Sequence, residues 1–126
     1  MRYFTLSEFD CPSLLESGIN MDRAFLDKLE EAREYAGIPF KITSGYRTKK
    51  HNEELRKKGY KASANSSHLI GKAADIAVGS GAERYIILNA LIKSGFKRIG
   101  IAKTFIHADT DSIDQGGNKP NSVWTY

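Results

Sequence analysis

Two histidines and one aspartate stand where they could hold a metal ion. His68 precedes Asp75 by seven residues, and His107 lies on a later segment that is predicted to be a strand. Two histidines and a carboxylate form the ligand set of several catalytic zinc sites, in which a fourth position stays open for water. Asp75 is the most informative of the three, because a charge inside the apolar run 73–78 is costly unless it is paired or bound to a metal.

Each of these residues also has an ordinary structural explanation, and their spacing alone does not decide between a metal site and these structural roles. Asp75 could stand at a sheet edge or accept a hydrogen bond from a backbone amide. His107 and Asp109 share one face of the predicted strand, so both could simply face solvent. In a metal site, Asp109 would act as general base or acid, or would orient the imidazole of His107. Arg47 follows a sharp turn and could bind a carboxylate, or be an exposed arginine at a helix start.

Composition limits the kind of metal site and the class of protein. The 126 residues include one cysteine and three histidines, which excludes an internal disulfide and a cysteine-rich zinc knuckle. Hydrophobic residues make up 40% and charged residues 27%, as in a soluble domain with one core. No apolar run approaches the ~20 residues that a membrane span requires. The first residues contain no apolar signal segment, so we expect the chain to stay in the cytoplasm as synthesised.

The net charge of +4 raises the question of a nucleic-acid partner. Six basic residues gather around the second predicted helix: Lys49, Lys50, Arg56, Lys57, Lys58 and Lys61. Aromatic residues and glycines do not alternate with them as they do in RNA-binding sheets. A solvated helix face, or attraction to an anionic polymer, explains the cluster better, and we expect no nucleic-acid partner.

Three helices are predicted to surround these residues. Asn20 is a candidate N-cap for the first helix, whose apolar residues recur at helical spacing as far as Gly37. A short polar helix is predicted over about residues 48–58. Ser80 and Glu83 form a capping box at the start of the third helix. The predicted apolar face of this third helix consists of Ile87, Leu88, Leu91 and Ile92.

Five short segments are candidate strands. They are marked by alternating or continuous apolar residues and cover 40–43, 73–78, 98–102, 105–109 and 123–126. The first 18 residues are predicted to be an irregular arm, and 60–72 a long loop of the kind that often carries function. The order of these elements predicts one α+β domain over residues 1–126, with a mainly antiparallel sheet flanked by helices.

Five sequence blocks, in this order, resemble those of one enzyme family. They are Ser-Gly-Tyr-Arg-Thr at 44–48, His-Asn at 51–52, Ser-Ser-His-Leu-Ile-Gly-Lys-Ala-Ala-Asp-Ile at 66–76, Gly-Phe and Ile-Gly-Ile within 95–101, and Phe-Ile-His-Ala-Asp-Thr at 105–110. Together they resemble the zinc D-alanyl-D-alanine carboxypeptidases of peptidase family M15, a family that also contains peptidoglycan endopeptidases. The likeness is to its small single-domain members in phages and bacteria. It extends to the arm at 4–11 and to Trp124, and so covers nearly the whole chain.

The resemblance implies a fold, a cofactor and residue roles. The implied fold is the Hedgehog/DD-peptidase-like α+β domain, which agrees with the predicted elements. The implied cofactor is Zn2+, with His68, Asp75 and His107 as its ligands. The resemblance further implies that Arg47 holds a carboxylate of the substrate and that Ser66 lines the site.

Several positions depart from the family pattern. Many members have a glutamate, the general base, where Thr104 stands here, so Asp109 of the His-x-Asp arrangement is our candidate for that catalytic role. An arginine is frequent in the family where Asp111 stands, and a tyrosine where Ala102 stands. His51 matches a frequent His-Asn pair and is interpreted as structural.

The sequence therefore predicts a monomeric zinc peptidase that cleaves peptidoglycan stem peptides. D-Ala-D-Ala carboxypeptidase and murein endopeptidase activity are both open. Arg47 would bind the terminal D-alanine carboxylate in a carboxypeptidase and another group of the substrate in an endopeptidase. The alternative is a non-catalytic, zinc-containing domain that binds the cell wall or a partner, which the absence of a glutamate at Thr104 favours. Release by phage lysis, or incorporation in a virion, would bring such an enzyme to the wall.

Overall fold

The structure is a computed structural model that describes residues 1–60 and 62–126. This part of the chain contains five strands and three α-helices. The helices are α1 (Arg23–Ala36), α2 (Lys49–Lys57) and α3 (Gly81–Lys93). The strands are β1 (Ile42–Ser44), β2 (Ala73–Ala77), β3 (Arg98–Ile101), β4 (Phe105–Asp109) and β5 (Ser122–Thr125). Short 3-10 helices are formed by Leu6–Phe9, Ser17–Asn20, Ser67–Ile70 and Ile113–Gln115. Lys61 of the predicted basic cluster lies outside the described residues.

The cap of α1 differs from the prediction. Asp22, not Asn20, caps this helix, because the Asp22 carboxylate accepts a hydrogen bond of 3.0 Å from the backbone N–H of Phe25. Asn20 ends the 3-10 helix that precedes α1. Two short helical turns, Leu6–Phe9 and Ser17–Asn20, thus occupy part of the predicted irregular arm and its end, and the main helix starts only after them.

The cap of α3 follows the prediction in part. The Ser80 hydroxyl accepts a hydrogen bond of 3.1 Å from the backbone N–H of Glu83, while the Glu83 carboxylate accepts from Gly79 rather than from Ser80. The predicted apolar face is wrong at Ile92, which is 56% exposed. Successive residues of a helix are rotated by about 100° about its axis, and here Ala90, on one side of Leu91, is buried while Ile92, on the other side, faces solvent.

The sheet has the strand order β1-β2-β4-β3-β5. The neighbours from β1 to β3 pair antiparallel, and β5 lies parallel to β3 at the edge of the sheet. This confirms the predicted α+β domain with a mainly antiparallel sheet. The parallel edge strand was not predicted, because it depends on how the tail crosses back over the sheet after β4. Among the described residues, none of the helices has the length and apolar character of a membrane span.

The two faces of the sheet differ in chemistry because side chains alternate along each strand. On one face, Ile76, Ile99 and Ile106 are buried in a single core that also contains Phe25 and Leu29 of α1. The strand residues that flank these isoleucines point to the other face, and they include the polar residues Asp75, Arg98 and His107. The register of the strands therefore decides which polar side chains meet there.

Candidate metal centre

One row of residues crosses the whole sheet and carries the candidate site. Ser44 pairs with Asp75, Asp75 with His107, His107 with Gly100, and Gly100 with Trp124. Residues paired in this way point to the same face, with their Cβ atoms about 5 Å apart. The row therefore places the carboxylate of Asp75 beside the imidazole of His107.

His68 completes a buried cluster with Asp75 and His107. Each residue offers one ligand atom, and these atoms lie within 4.8 Å of one another. His68 Nε2 is 3.3 Å and His107 Nδ1 is 3.1 Å from Asp75 Oδ1. Among the residues that the structure describes, this is the one group of three or more histidine, cysteine, aspartate or glutamate side chains that could hold a metal ion. The structure thus brings together the three predicted ligands.

The imidazole of His68 is held with one nitrogen free to bind a metal. Its Nδ1 lies 2.7 Å from the carbonyl oxygen of Gly45. A carbonyl only accepts hydrogen bonds, so Nδ1 carries the hydrogen and Nε2 keeps its lone pair. Nε2 is buried and makes no hydrogen bond within the described part of the chain, although Asp75 Oδ1 is 3.3 Å away, because a lone pair and a carboxylate oxygen are both acceptors. Burial lowers the pKa of His68 and favours the neutral imidazole that metal binding requires.

Gly45 can hold His68 because its backbone lies against the N-terminal arm. A Cβ atom at this position would lie only 2.6 Å from Cα of Phe9. The N–H of the next residue, Tyr46, donates a hydrogen bond of 2.8 Å to the carbonyl of Phe9. The turn after β1 is thereby fixed, and its carbonyl faces the imidazole of His68.

Asp109 orients His107 from the side opposite Asp75. Its Oδ2 lies 2.7 Å from His107 Nε2, and its Oδ1 accepts hydrogen bonds from Arg98 Nε at 2.9 Å and from the Asp111 N–H at 3.0 Å. Burial disfavours a charged His107, but the hydrogen bonds to Asp109 and Asp75 outweigh it and raise the pKa of His107. Both Asp109 oxygens are engaged, so its contacts favour the orienting role over that of general base.

Arg47 lies between the cluster and helix α2. Its three nitrogens contact Ser44 Oγ at 3.1 Å, Asn52 Oδ1 at 3.3 Å and Asp75 Oδ2 at 3.4 Å. Asn52 is buried and also donates a hydrogen bond of 2.8 Å to the carbonyl of Ser63. A guanidinium has five N–H groups, so two remain for a ligand. Arg47, the residue predicted to bind a carboxylate, is therefore held beside the cluster by three side-chain contacts.

A cavity of about 330 Å³ opens over the cluster. The predicted Ser66 lines it, and the Ser66 hydroxyl accepts a hydrogen bond of 3.2 Å from the backbone N–H of His68. Three cationic side chains line the same cavity: Arg47, Arg98 and Lys119. Lys119 is anchored by Asp111, whose carboxylate is 3.2 Å from Nζ. Arg47 and Arg98 are likewise paired with aspartates, so the three cations offer a ligand their remaining N–H groups rather than a large excess of positive charge.

The family of the chain follows from comparison with known proteins. A family model described as Peptidase M15 matches residues 2–109. The chain belongs to the peptidase M15 family. No curated protein matches it. The resemblance found in the sequence is thus confirmed.

M15 peptidases are zinc-dependent metallopeptidases, and the cluster of this M15 chain has a suitable donor set. Two imidazole nitrogens and one carboxylate oxygen are ligands that zinc commonly has in catalytic sites. The lone pair of His68 Nε2, buried without a hydrogen-bond partner among the described residues, is an independent sign that a metal belongs there. All three cluster residues lie within the part of the M15 chain that matches the family model.

Trp124, which lies beyond the matched range, also builds the site, and its role was not predicted. Trp124 of β5 lies over Gly100, with its ring centroid 5.3 Å from that of His107. The Arg98 guanidinium lies 4.9 Å from the centroid of the same indole. A glycine inside a strand often marks such a close approach, so Gly100 was the available signal. The role of Arg98 depends on tertiary contacts and has no comparable mark in the sequence, whereas Asn52 belongs to the His-Asn block at 51–52.

Substituting Gly100 by alanine is expected to displace Trp124. The added Cβ would lie 2.5 Å from Trp124 Nε1 and 2.8 Å from Tyr126 Cε1. We expect a loss of about 1–3 kcal/mol in the free energy of unfolding, as for other overpacked positions. Urea denaturation measures the loss, and the fluorescence of the single tryptophan reports its displacement.

Gly81→Ala is the matched control for this substitution. Gly81 is the first residue of α3, and a Cβ added there has no atom within 4 Å. The free energy of unfolding of Gly81→Ala should therefore be unchanged or slightly higher than that of the wild type. Equal stability and an unshifted emission maximum in Gly100→Ala would contradict the close packing of Trp124.

Proposed function

We propose that residues 1–126 form one zinc peptidase domain that hydrolyses peptide bonds in peptidoglycan stem peptides. The observation that supports this most strongly is the buried cluster of His68, Asp75 and His107 in an M15 chain. Zinc bound there would polarise the scissile carbonyl and lower the pKa of a bound water to about 7. Purified peptidoglycan, digested and analysed by mass spectrometry, tests the proposal.

The products of this digestion also identify the bond that is cleaved. Release of free D-alanine would show a carboxypeptidase, and release of larger peptides from the network would show an endopeptidase. The absence of any zinc-dependent product would contradict the proposal. The substrate carboxylate that distinguishes these cases is assigned to the two free N–H groups of Arg47.

In this proposal the residues of the chain hold the reacting groups in place. Gly45 fixes the tautomer of His68, and Asp109 fixes the ring of His107. Arg47 contacts Asp75 and also lines the cavity, so a substrate carboxylate that binds to it is positioned next to the cluster. Positioning of this kind lowers the barrier because the reacting groups no longer have to be ordered during the reaction.

Replacing Asp109 by asparagine separates the two roles that this carboxylate could have. As an orienting residue, Asp109 stabilises the ring of His107 in the geometry that binds zinc. We therefore expect the affinity for zinc to fall about 10- to 100-fold in Asp109→Asn, as for other partners of metal-bound histidines. Competition with a fluorescent chelator measures this affinity.

The control is Asp114→Asn, the same chemical change at an exposed ion pair with Lys97, which should leave zinc affinity unchanged. If Asp109→Asn binds zinc as tightly as the wild type but has lost turnover at saturating zinc, Asp109 is the general base instead. That result would restore the catalytic role predicted from the sequence.

A second candidate function is a zinc-containing domain that binds the cell wall or a partner without cleavage. Among the described residues, the only carboxylates that line the cavity over the cluster are Asp75 and Asp109, and both are engaged. Thr104 is exposed and has no carboxylate to offer. Stoichiometric zinc together with co-sedimentation with peptidoglycan, and no product from any fragment, would favour this candidate.

A further inference from the structure

A second cavity, here called the side pocket, opens next to the cluster. It has a volume of about 500 Å³ and is larger than the cavity over the cluster itself. Its apolar walls are formed by Pro12, Leu55, Tyr60, Ala102, Phe105 and Tyr126. Cavities of this size and apolar character commonly bind a ligand group.

The side pocket is continuous with the cavity over the cluster. Five residues line both: Arg47, Ala62, Asp75, Phe105 and Tyr126. The rings of Phe105 and Tyr126 pack edge to face with their centroids 5.1 Å apart and form part of the shared wall. A peptide held at the cluster can therefore place a neighbouring side chain in the side pocket.

The charges around the side pocket disfavour a cationic occupant. Lys103 and Arg47 are cations in its lining. Within the described lining, Asp75 is the only carboxylate, and it is already engaged by Arg47 and the two histidines. A free ammonium group placed here would meet two cations without gaining a free counter-ion.

We propose, on the basis of the function proposed above, that the side pocket binds a long, uncharged side chain of the substrate beside the scissile bond. The methyl group of an alanine would leave most of about 500 Å³ unfilled. In a wall peptide, the side chain that meets these requirements is that of a diamino acid whose terminal amine is acylated in a cross-link. The same side chain with a free amine is the wrong partner for Lys103 and Arg47.

Four matched peptides test the side pocket by binding to the zinc-loaded protein. They carry alanine, norleucine, Nε-acetyl-lysine or lysine next to a non-cleavable ketomethylene group, on each side of it in turn. Calorimetry should show norleucine and Nε-acetyl-lysine binding about tenfold or more tighter than alanine on one side, as expected for filling an apolar subsite. Lysine should bind no better than alanine. Equal binding of alanine and norleucine on both sides, or no binding at all, would overturn the proposal.

Two variants locate the effect in the side pocket. Ala102→Leu fills the cavity, so it should weaken binding of norleucine more than binding of alanine. Lys103→Glu changes an exposed residue and reverses the local charge, so it should strengthen binding of lysine several-fold relative to Nε-acetyl-lysine. An unchanged ratio in Lys103→Glu would contradict the assigned basis of charge selectivity even if Ala102→Leu failed to fold.

Failure of this proposal can be told apart from failure of the proposed function. If the corresponding amide peptides are not cleaved but the order of binding holds, the peptidase function is wrong and the side pocket is a binding site. If the amide peptides are cleaved at equal rates and bind equally, the peptidase function stands and the side pocket does not select the substrate.

Discussion

His68→Ala is expected to lose bound zinc and peptidase activity together. His68 contributes the nitrogen that is buried without a hydrogen-bond partner in the described chain, and alanine has no atom to replace it. Two protein ligands bind zinc much more weakly than three. Loss of a metal that stabilises the transition state by several kcal/mol lowers the rate about a thousandfold or more.

Metal analysis by mass spectrometry and hydrolysis of peptidoglycan fragments measure the two losses. His51→Ala is the control for zinc content, because His51 is the third histidine of the chain and lies outside the cluster. If circular dichroism shows that His68→Ala is unfolded, Asp75→Asn is the substitute, since it preserves the shape of the side chain. Full zinc content in either folded variant would contradict the ligand assignment.

Zinc is expected to raise the unfolding temperature by about 10 to 20 °C. A ligand that binds only the folded chain stabilises it by about 4 kcal/mol when present at a thousand times its Kd. For a domain of this size, each kcal/mol corresponds to several degrees. The structural reason is that the ligand atoms of His68, Asp75 and His107 meet only when β2 and β4 are paired and the 3-10 helix Ser67–Ile70 is docked.

Differential scanning calorimetry with zinc and after treatment with a chelator measures this shift. His68→Ala should show no shift at the same zinc concentration, while Gly81→Ala should shift like the wild type. A zinc response that is the same in His68→Ala and the wild type would place the stabilising ion elsewhere in the protein.

The sequence predicted well what depends on local patterns. The apolar periodicity identified α1, α3 and the central strands, and the position of His68, Asp75 and His107 relative to them indicated a shared site. Sequence blocks also identified the family. In each case the signal lies in residues that are close in the chain or that stand at regular spacing within one element.

The features that the sequence did not predict depend on distant contacts. The cap of α1 required a choice between Asn20 and Asp22, which have similar capping propensity. The parallel pairing of β5, and with it the place of Trp124 and Tyr126, depends on how the tail folds back over the sheet. The orienting contacts of Asp109 were one of two open roles, because the direction of a carboxylate depends on partners such as Arg98.

The row that carries Asp75, His107 and Gly100 makes the site a check on correct folding. A slip of β4 by one residue would turn Ile106 toward the polar face and His107 into the core, because side chains alternate along a strand. Such a misfolded chain would lack the paired carboxylate and imidazole. The fraction of newly refolded protein that takes up zinc should therefore equal the fraction in which these strands have found their proper register.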